Sequence, residues 1–146
     1  MTYESIAADL YTRLPKLQPA EGAADQYGDL SDPNILFGSL LIPALEQALE
    51  AHDLATILKI CAFLEDASVD AASDPKLATL IQTEFGEWLA WAANEDLLAP
   101  WLGAETKRLC GYVPGLATQR LNGEEDVKVS GIRSRISSIW NRFSKR

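Results

Sequence analysis

Large apolar residues recur at three- and four-residue steps most densely between Ile35 and Leu64, in two consecutive segments, ILFGSLLIPALEQALEAH and DLATILKICAFLED. In the second, Leu54, Ile57, Leu58, Cys61 and Leu64 share a helical stripe, and Ile60 and Phe63 widen it until most of the circumference is apolar. Such a helix needs neighbours on several sides. The pattern therefore predicts an all-α fold with this helix at its centre.

The flanking pattern supplies those neighbours. A first helix is expected from about Tyr3 to Arg13, with Ile6, Leu10 and Leu14 on one side; Pro15 ends it, because proline disfavours helix in the residue before it. Residues 15–31 hold two prolines and two glycines and read as a loop. Asp32-Pro33 then joins an N-cap carboxylate to a ring already fixed at helical φ, a start signal for the next helix. Further along, Pro43 lacks a backbone donor and is expected to bend or divide that helix. His52-Asp53 makes a short corner into the central helix, so the two lie antiparallel. The Asp-Pro device returns at Asp74-Pro75, 42 residues after the first, and opens PKLATLIQTEFGEWLAWAA. Asn94 caps a further segment, EDLLAPWLGAETKRLC, which Pro100 and Gly103 interrupt and Gly111 stops. Antiparallel helical hairpins packed as a compact bundle are expected. Their spacing is that of a HEAT-like repeat, although the two units share no matching internal residues.

From Tyr112 to Asp126 the chain is rich in turn formers, with at most one short helical turn expected, between about Leu116 and Leu121. The acidic run Glu124, Glu125, Asp126 marks the expected end of an acidic helical domain, residues 1–126. The last twenty residues, 127–146 (VKVSGIRSRISSIWNRFSKR), have the clearest amphipathic pattern in the chain. Ile132, Ile136, Ile139, Trp140 and Phe143 fall within an arc of roughly 100°, with Arg133, Arg135, Arg142, Lys145 and Arg146 on its flanks. A basic amphipathic C-terminal helix is predicted. Three uses fit it: packing on the acidic domain, lying on an anionic membrane surface, or touching a protein partner.

Charge divides the chain at the same place. Residues 1–126 hold 21 acidic and 7 basic side chains, a net of −14; the last twenty residues hold 6 basic and no acidic ones, so the whole chain stands at −8. A body of that sign repels nucleic acid and attracts basic protein surfaces. With 47% hydrophobic residues in 146, the chain fits one ordered globular domain. Its first residues lack the basic-then-apolar order of a secretion signal, and no stretch has the apolar length of a membrane span. A soluble cytoplasmic protein is expected, or one peripheral at the inner face of the membrane. Cys61 and Cys110 are expected to be reduced core residues.

The candidate binding residues come from the segment after Asp74. Leu77, Leu80, Ile81, Trp88 and Trp91 form a stripe, and Glu84 falls inside it. A carboxylate there must find a Lys or Arg within the fold or face a binding surface. Glu84, Glu87, Trp88, Trp91, Glu95, Asp96 and Trp101 together place aromatic anchors among acidic neighbours, a composition suited to a basic protein partner. The ordinary alternative is tryptophans in the core and glutamates in water. A second candidate set lies on the tail: Ile132, Arg133, Arg135, Ile136, Ile139, Trp140, Arg142 and Phe143. The carboxylates of Glu46, Glu50 and Asp53, and of Glu65, Asp66, Asp70 and Asp74, are expected to form solvated negative ridges.

Enzyme signatures are missing. The chain has no Gly-x-Ser-x-Gly elbow, no phosphate-cradling glycine loop and no Cys-x-x-Cys, and His52 is its single histidine. A helical-bundle di-metal centre needs Glu-x-x-His pairs on facing helices, so no metal and no cofactor is expected. Paired carboxylates, which have no fixed spacing, are the one catalytic chemistry that the sequence leaves open.

The acidic helical body, the hairpin from Asp32 to Asp66 with its run ALEQALEAHDLATILKICAFLED, and the helix ending in EFGEWLAW resemble the small acidic all-helical immunity proteins of bacterial polymorphic and contact-delivered toxin systems. The resemblance covers roughly residues 30 to 110 and is one of overall style, without a diagnostic motif. It implies a non-enzymatic protein that binds a cognate toxin tightly, covers its active surface and turns nothing over. The basic tail departs from that pattern and leaves open membrane attachment, as in a peripheral membrane adaptor, or a second binding element; the acidic body also fits an inhibitor that mimics nucleic acid.

Overall fold

Two aspartate side chains open the long helices as the sequence predicts. Asp32 accepts the Asn34 backbone N–H at 2.8 Å, and Asp74 accepts those of Lys76 and Leu77 at 3.0 and 3.1 Å, each with proline at the first helical position. The computed structural model describes residues 1–20, 28–91 and 94–111, and among these the chain forms six helices and no strand. α1 is Ile6–Arg13, followed by a 3₁₀ turn at Pro15–Leu17. α2 covers 33–51, α3 is Leu54–Asp70, and α4 covers 75–89. Two short helices, α5 at Asn94–Leu98 and α6 at Ala104–Leu109, replace the second arm of the expected second hairpin. The end of the acidic domain at Asp126, the turn expected near 116–121 and the whole basic tail lie outside the described residues.

The fold is all-α, with α3 at its centre as predicted: α1, α2, α4 and α6 all pack on it. His52 takes the left-handed conformation (φ 57°) that ends α2, and Asp53 caps α3 by accepting the Thr56 N–H at 3.1 Å. Two residues thus suffice to turn the chain back on itself. Ile57, Ile60, Phe63, Leu64 and Ala67 of α3 are fully buried, against Ile6 and Leu10 of α1, Leu36, Phe37, Leu41 and Leu45 of α2, and Leu77, Leu80 and Ile81 of α4. Each such large side chain contributes about 1.5–3 kcal/mol by leaving water. One expectation fails. The cover is one-sided, leaving Leu54 and Leu58 of the predicted stripe each 46% exposed. The sequence makes α3 apolar on nearly every side, and the packing partners select the side centred on Ile60 and Leu64.

α2 stays helical through Pro43, but not as one regular α-helix. A π turn at Phe37–Leu41, closed by the Ile42 N–H to the Phe37 carbonyl, ends just before it. The Ser39 carbonyl that the ring would strike in a regular helix lies in this widened turn. α4 contains a second π turn at Ile81–Gly86, which packs on the first. The two Asp-Pro helices therefore share more than their openings: each starts regular, widens for one turn, and becomes regular again.

α6 is fastened to α3 by one carboxylate. Glu65 accepts the backbone N–H groups of Glu105 and Thr106 at 3.0 and 2.9 Å and the Thr106 hydroxyl at 2.8 Å, and the buried Ser68 hydroxyl lies 3.2 Å from that of Thr106. Partial burial pushes the Glu65 carboxyl upward, but these donors outweigh it, and it titrates below the ordinary carboxylate value. The clasp therefore stabilises the fold above pH of about 4.3 and is lost as pH falls through its lowered folded value. Gly103 makes room for it: a Cβ there would overlap the Glu65 carboxylate. Glu65→Ala is expected to cost about 1–2 kcal/mol, the range for losing a charged helix cap. Gly103→Ala should cost a similar amount in the wild-type chain but under half of it beside Glu65→Ala, as read by urea unfolding of the four proteins.

Candidate functional site

The stripe that α4 buries is shifted from the one predicted. A regular helix would carry the face of Leu77, Leu80 and Ile81 onward to Glu84, Trp88 and Trp91. The π turn inserts one extra residue, about 100° of rotation, and the buried line continues instead through Phe85 and Leu89. Glu84 and Trp88 are thereby moved to the edge of the core and Trp91 is moved out of it. Trp91 is 68% exposed, the most exposed large apolar side chain among the described residues.

Glu84 is half-buried, lying over the π turn of α2. A Cβ on Gly38 would stand 3.6 Å from its Oε2. Burial pushes this carboxyl upward, and the nearby charges of Glu87 and Asp32 push it the same way. Among the described residues no donor or cation answers it. Beside it, the Trp88 indole stacks at a tilt of 30° on Phe85, ring centroids 5.7 Å apart, and donates Nε1–H to Glu46 Oε1 at 2.9 Å. The Asn94 amide donates to the Trp88 carbonyl at 2.8 Å, tying the start of α5 to the end of α4. Glu84, Glu87, Trp88 and Trp91 thus share one face with Glu46 of α2, and Asp32 lies close enough to add to its field.

The other predicted members stand differently. Trp101 packs against the hydrophobic core and does not offer its ring as an exposed anchor. Asp96 is half-exposed on α5. The Glu95 side chain and the tail set, Ile132, Arg133, Arg135, Ile136, Ile139, Trp140, Arg142 and Phe143, fall outside the described residues. Sequence reasoning missed Glu46 as a member of this face. The signal was there: Glu46 and Trp88 are 42 residues apart, the spacing that separates the two Asp-Pro openings, so equivalent positions of the two helices meet.

Most carboxylates of the expected ridges turn out to be structural. Asp53 and Asp74 cap helices, Glu65 holds α6, and Asp66 pairs with Arg13. Asp70 accepts the Met1 amine at 2.8 Å, and Asp74 also accepts the Tyr3 N–H at 2.8 Å. The acids left facing outward without a donor among the described residues include Glu50, Glu84 and Glu87. No cluster of His, Cys, Asp or Glu among the described residues is arranged to hold a metal ion, and no helix among them is long and apolar enough to cross a membrane. Cys61 and Cys110 are free thiols that burial pushes up to about 11 and about 12, so neither carries thiolate at neutral pH. Comparison with known proteins finds no family model, no curated protein and no solved structure that matches this chain.

A carboxyl pushed upward in the folded state contributes stability that is present below its unfolded value and lost as pH rises through the folded one. Glu84→Gln is therefore expected to raise the thermal midpoint at pH 7 and to leave it unchanged near pH 3.5, below the ordinary glutamate value of about 4.3. Calorimetry of both proteins at the two pH values measures the difference.

Proposed function

We propose that this chain is a non-enzymatic binding protein that neutralises a basic protein partner, acting as an immunity protein against a cognate bacterial toxin. One observation carries the reading: Glu84 is held half-buried, without a counter-charge among the described residues, on a face that also presents Trp91, the edge of Trp88, and the carboxylates of Glu87 and Glu46. A protein tolerates such a group where something else compensates it. An incoming Lys or Arg would do so, and the desolvation already incurred by Glu84 would strengthen the pair relative to one formed in open water. Trp91 supplies the apolar contact that shields that pair from solvent. The net charge of −14 over residues 1–126 steers a basic partner toward the face.

This function needs no reacting group. It needs a rigid surface, and α2 and α4 provide one by packing π turn against π turn beneath Glu84.

The test is affinity capture from the native host by the intact chain at low and moderate salt, alongside Trp91→Ala and Glu84→Gln. A basic protein should be retained by the wild type, and its affinity should fall by about 10- to 100-fold in each variant, the range of a central anchor. Trp91 is largely exposed, so its variant should unfold at the wild-type midpoint. Recovery of only acidic proteins, or equal retention by all three chains, would overturn the reading.

A further inference from the structure

The backbone of α2 adds an acceptor to the face that carries Glu84. Gly38 stands exposed on the π turn, and a Cβ built there would meet Glu84 Oε2 at 3.6 Å, so the missing side chain leaves room directly beside that carboxylate. The Gly38 carbonyl also lacks its usual donors. In a regular helix the Ile42 N–H would serve it, but that N–H goes to Phe37; in a π turn residue 43 would serve it, and Pro43 has no N–H to give. Carbonyls of a helix point toward its C-terminal end, so this one is directed along α2 toward the turn that leads to Glu46. Such an acceptor calls for a donor from outside the helix.

Across from it, α4 supplies the other side of a slot. Glu84 has no donor on its carboxylate among the described residues, and Trp88 follows one turn later. The Trp88 ring packs on Phe85 with centroids 5.7 Å apart, and its Nε1–H is given to Glu46 Oε1. Its one polar atom is thereby engaged, and what Trp88 offers an incoming group is the ring.

We infer that the slot between Gly38, Glu84 and Trp88 receives an arginine side chain of the partner, an inference that rests on the basic-partner reading above. A guanidinium carries five N–H donors in one plane, enough to pair with the Glu84 carboxylate and still reach the Gly38 carbonyl, and its flat face stacks on an indole. A lysine ammonium suits the slot less well. It is a compact, strongly hydrated charge without a face to stack, and beside a half-buried carboxylate it gives up more of its water. The other carboxylates of the face, Asp32, Glu46 and Glu87, attract either cation without choosing between them.

The test titrates two short blocked peptides, one with a single arginine and one with a single lysine, into the full chain and into its Gly38→Ala variant. NMR follows the Trp88 indole N–H and the Glu84 carboxyl. The new Cβ makes only ordinary contacts and replaces an exposed helical glycine, so the variant should be at least as stable as the wild type. The wild type should bind the arginine peptide about fivefold more tightly than the lysine peptide, and Gly38→Ala should remove that preference. Equal binding of the two peptides by the wild type would overturn the arginine assignment while leaving a basic partner in place. A preference that persists in Gly38→Ala would overturn the slot. Absence of any shift at Trp88 or Glu84 with either peptide would overturn the inference as well; whether a basic partner exists is decided separately, by the affinity capture.

Discussion

Burial of one side of α3 is the constraint on which the rest of the molecule depends. Ile57, Ile60, Phe63, Leu64 and Ala67 are removed completely from water, and doing so requires α1, α2, α4 and α6 to gather round a single helix. Truncating one of these side chains to alanine belongs to the class of change that costs about 2–5 kcal/mol, a large share of a small domain's stability. The polar devices serve this arrangement. Asp32, Asp53 and Asp74 fix where helices start, and Glu65 closes α6 down on the far end of α3. Four of the acidic side chains that look like surplus in the composition, Asp32, Asp53, Asp74 and Glu65, are employed in satisfying helix ends.

The same packing produces the candidate face. Where α2 and α4 press together, both widen into π turns, and the extra residue in α4 turns Phe85 and Leu89 inward in place of Glu84 and Trp88. The core gains two well-buried side chains. The surface acquires a carboxylate that burial and like charges disfavour, together with a tryptophan that stands in solvent. Local irregularity of this kind is frequent at functional sites. Here it places acidic and aromatic side chains side by side, with no salt bridge to Glu84 or Glu87 among the described residues.

Much of this was legible in the chain itself. Caps and breakers act locally, so Asp32-Pro33, His52-Asp53, Asp74-Pro75 and Pro15 each do what their chemistry dictates, and the central place of α3 comes from its girth of apolar residues. Helix phase was not legible, because no residue in IQTEFG announces a widened turn; the stripe drawn through Trp88 and Trp91 assumed a regular one. The orientation of α3 was equally hidden, since Leu54 and Leu58 are as apolar as the leucines and isoleucines that are buried. Which acids cap helices and which stand outward depends on neighbours distant in sequence, as when Glu65 meets Thr106 or Glu46 meets Trp88.

The proposed function turns on the state of one carboxyl group. If the face is built to receive a cation, Glu84 in the isolated protein must hold its proton more tightly than a glutamate in water does. Carbon-detected NMR titration of the Glu84 side-chain carboxyl measures this directly. A midpoint above the ordinary value of about 4.3 is predicted. A midpoint at or below it would show that the fold already compensates this charge, and would contradict the assignment of this face to a basic partner.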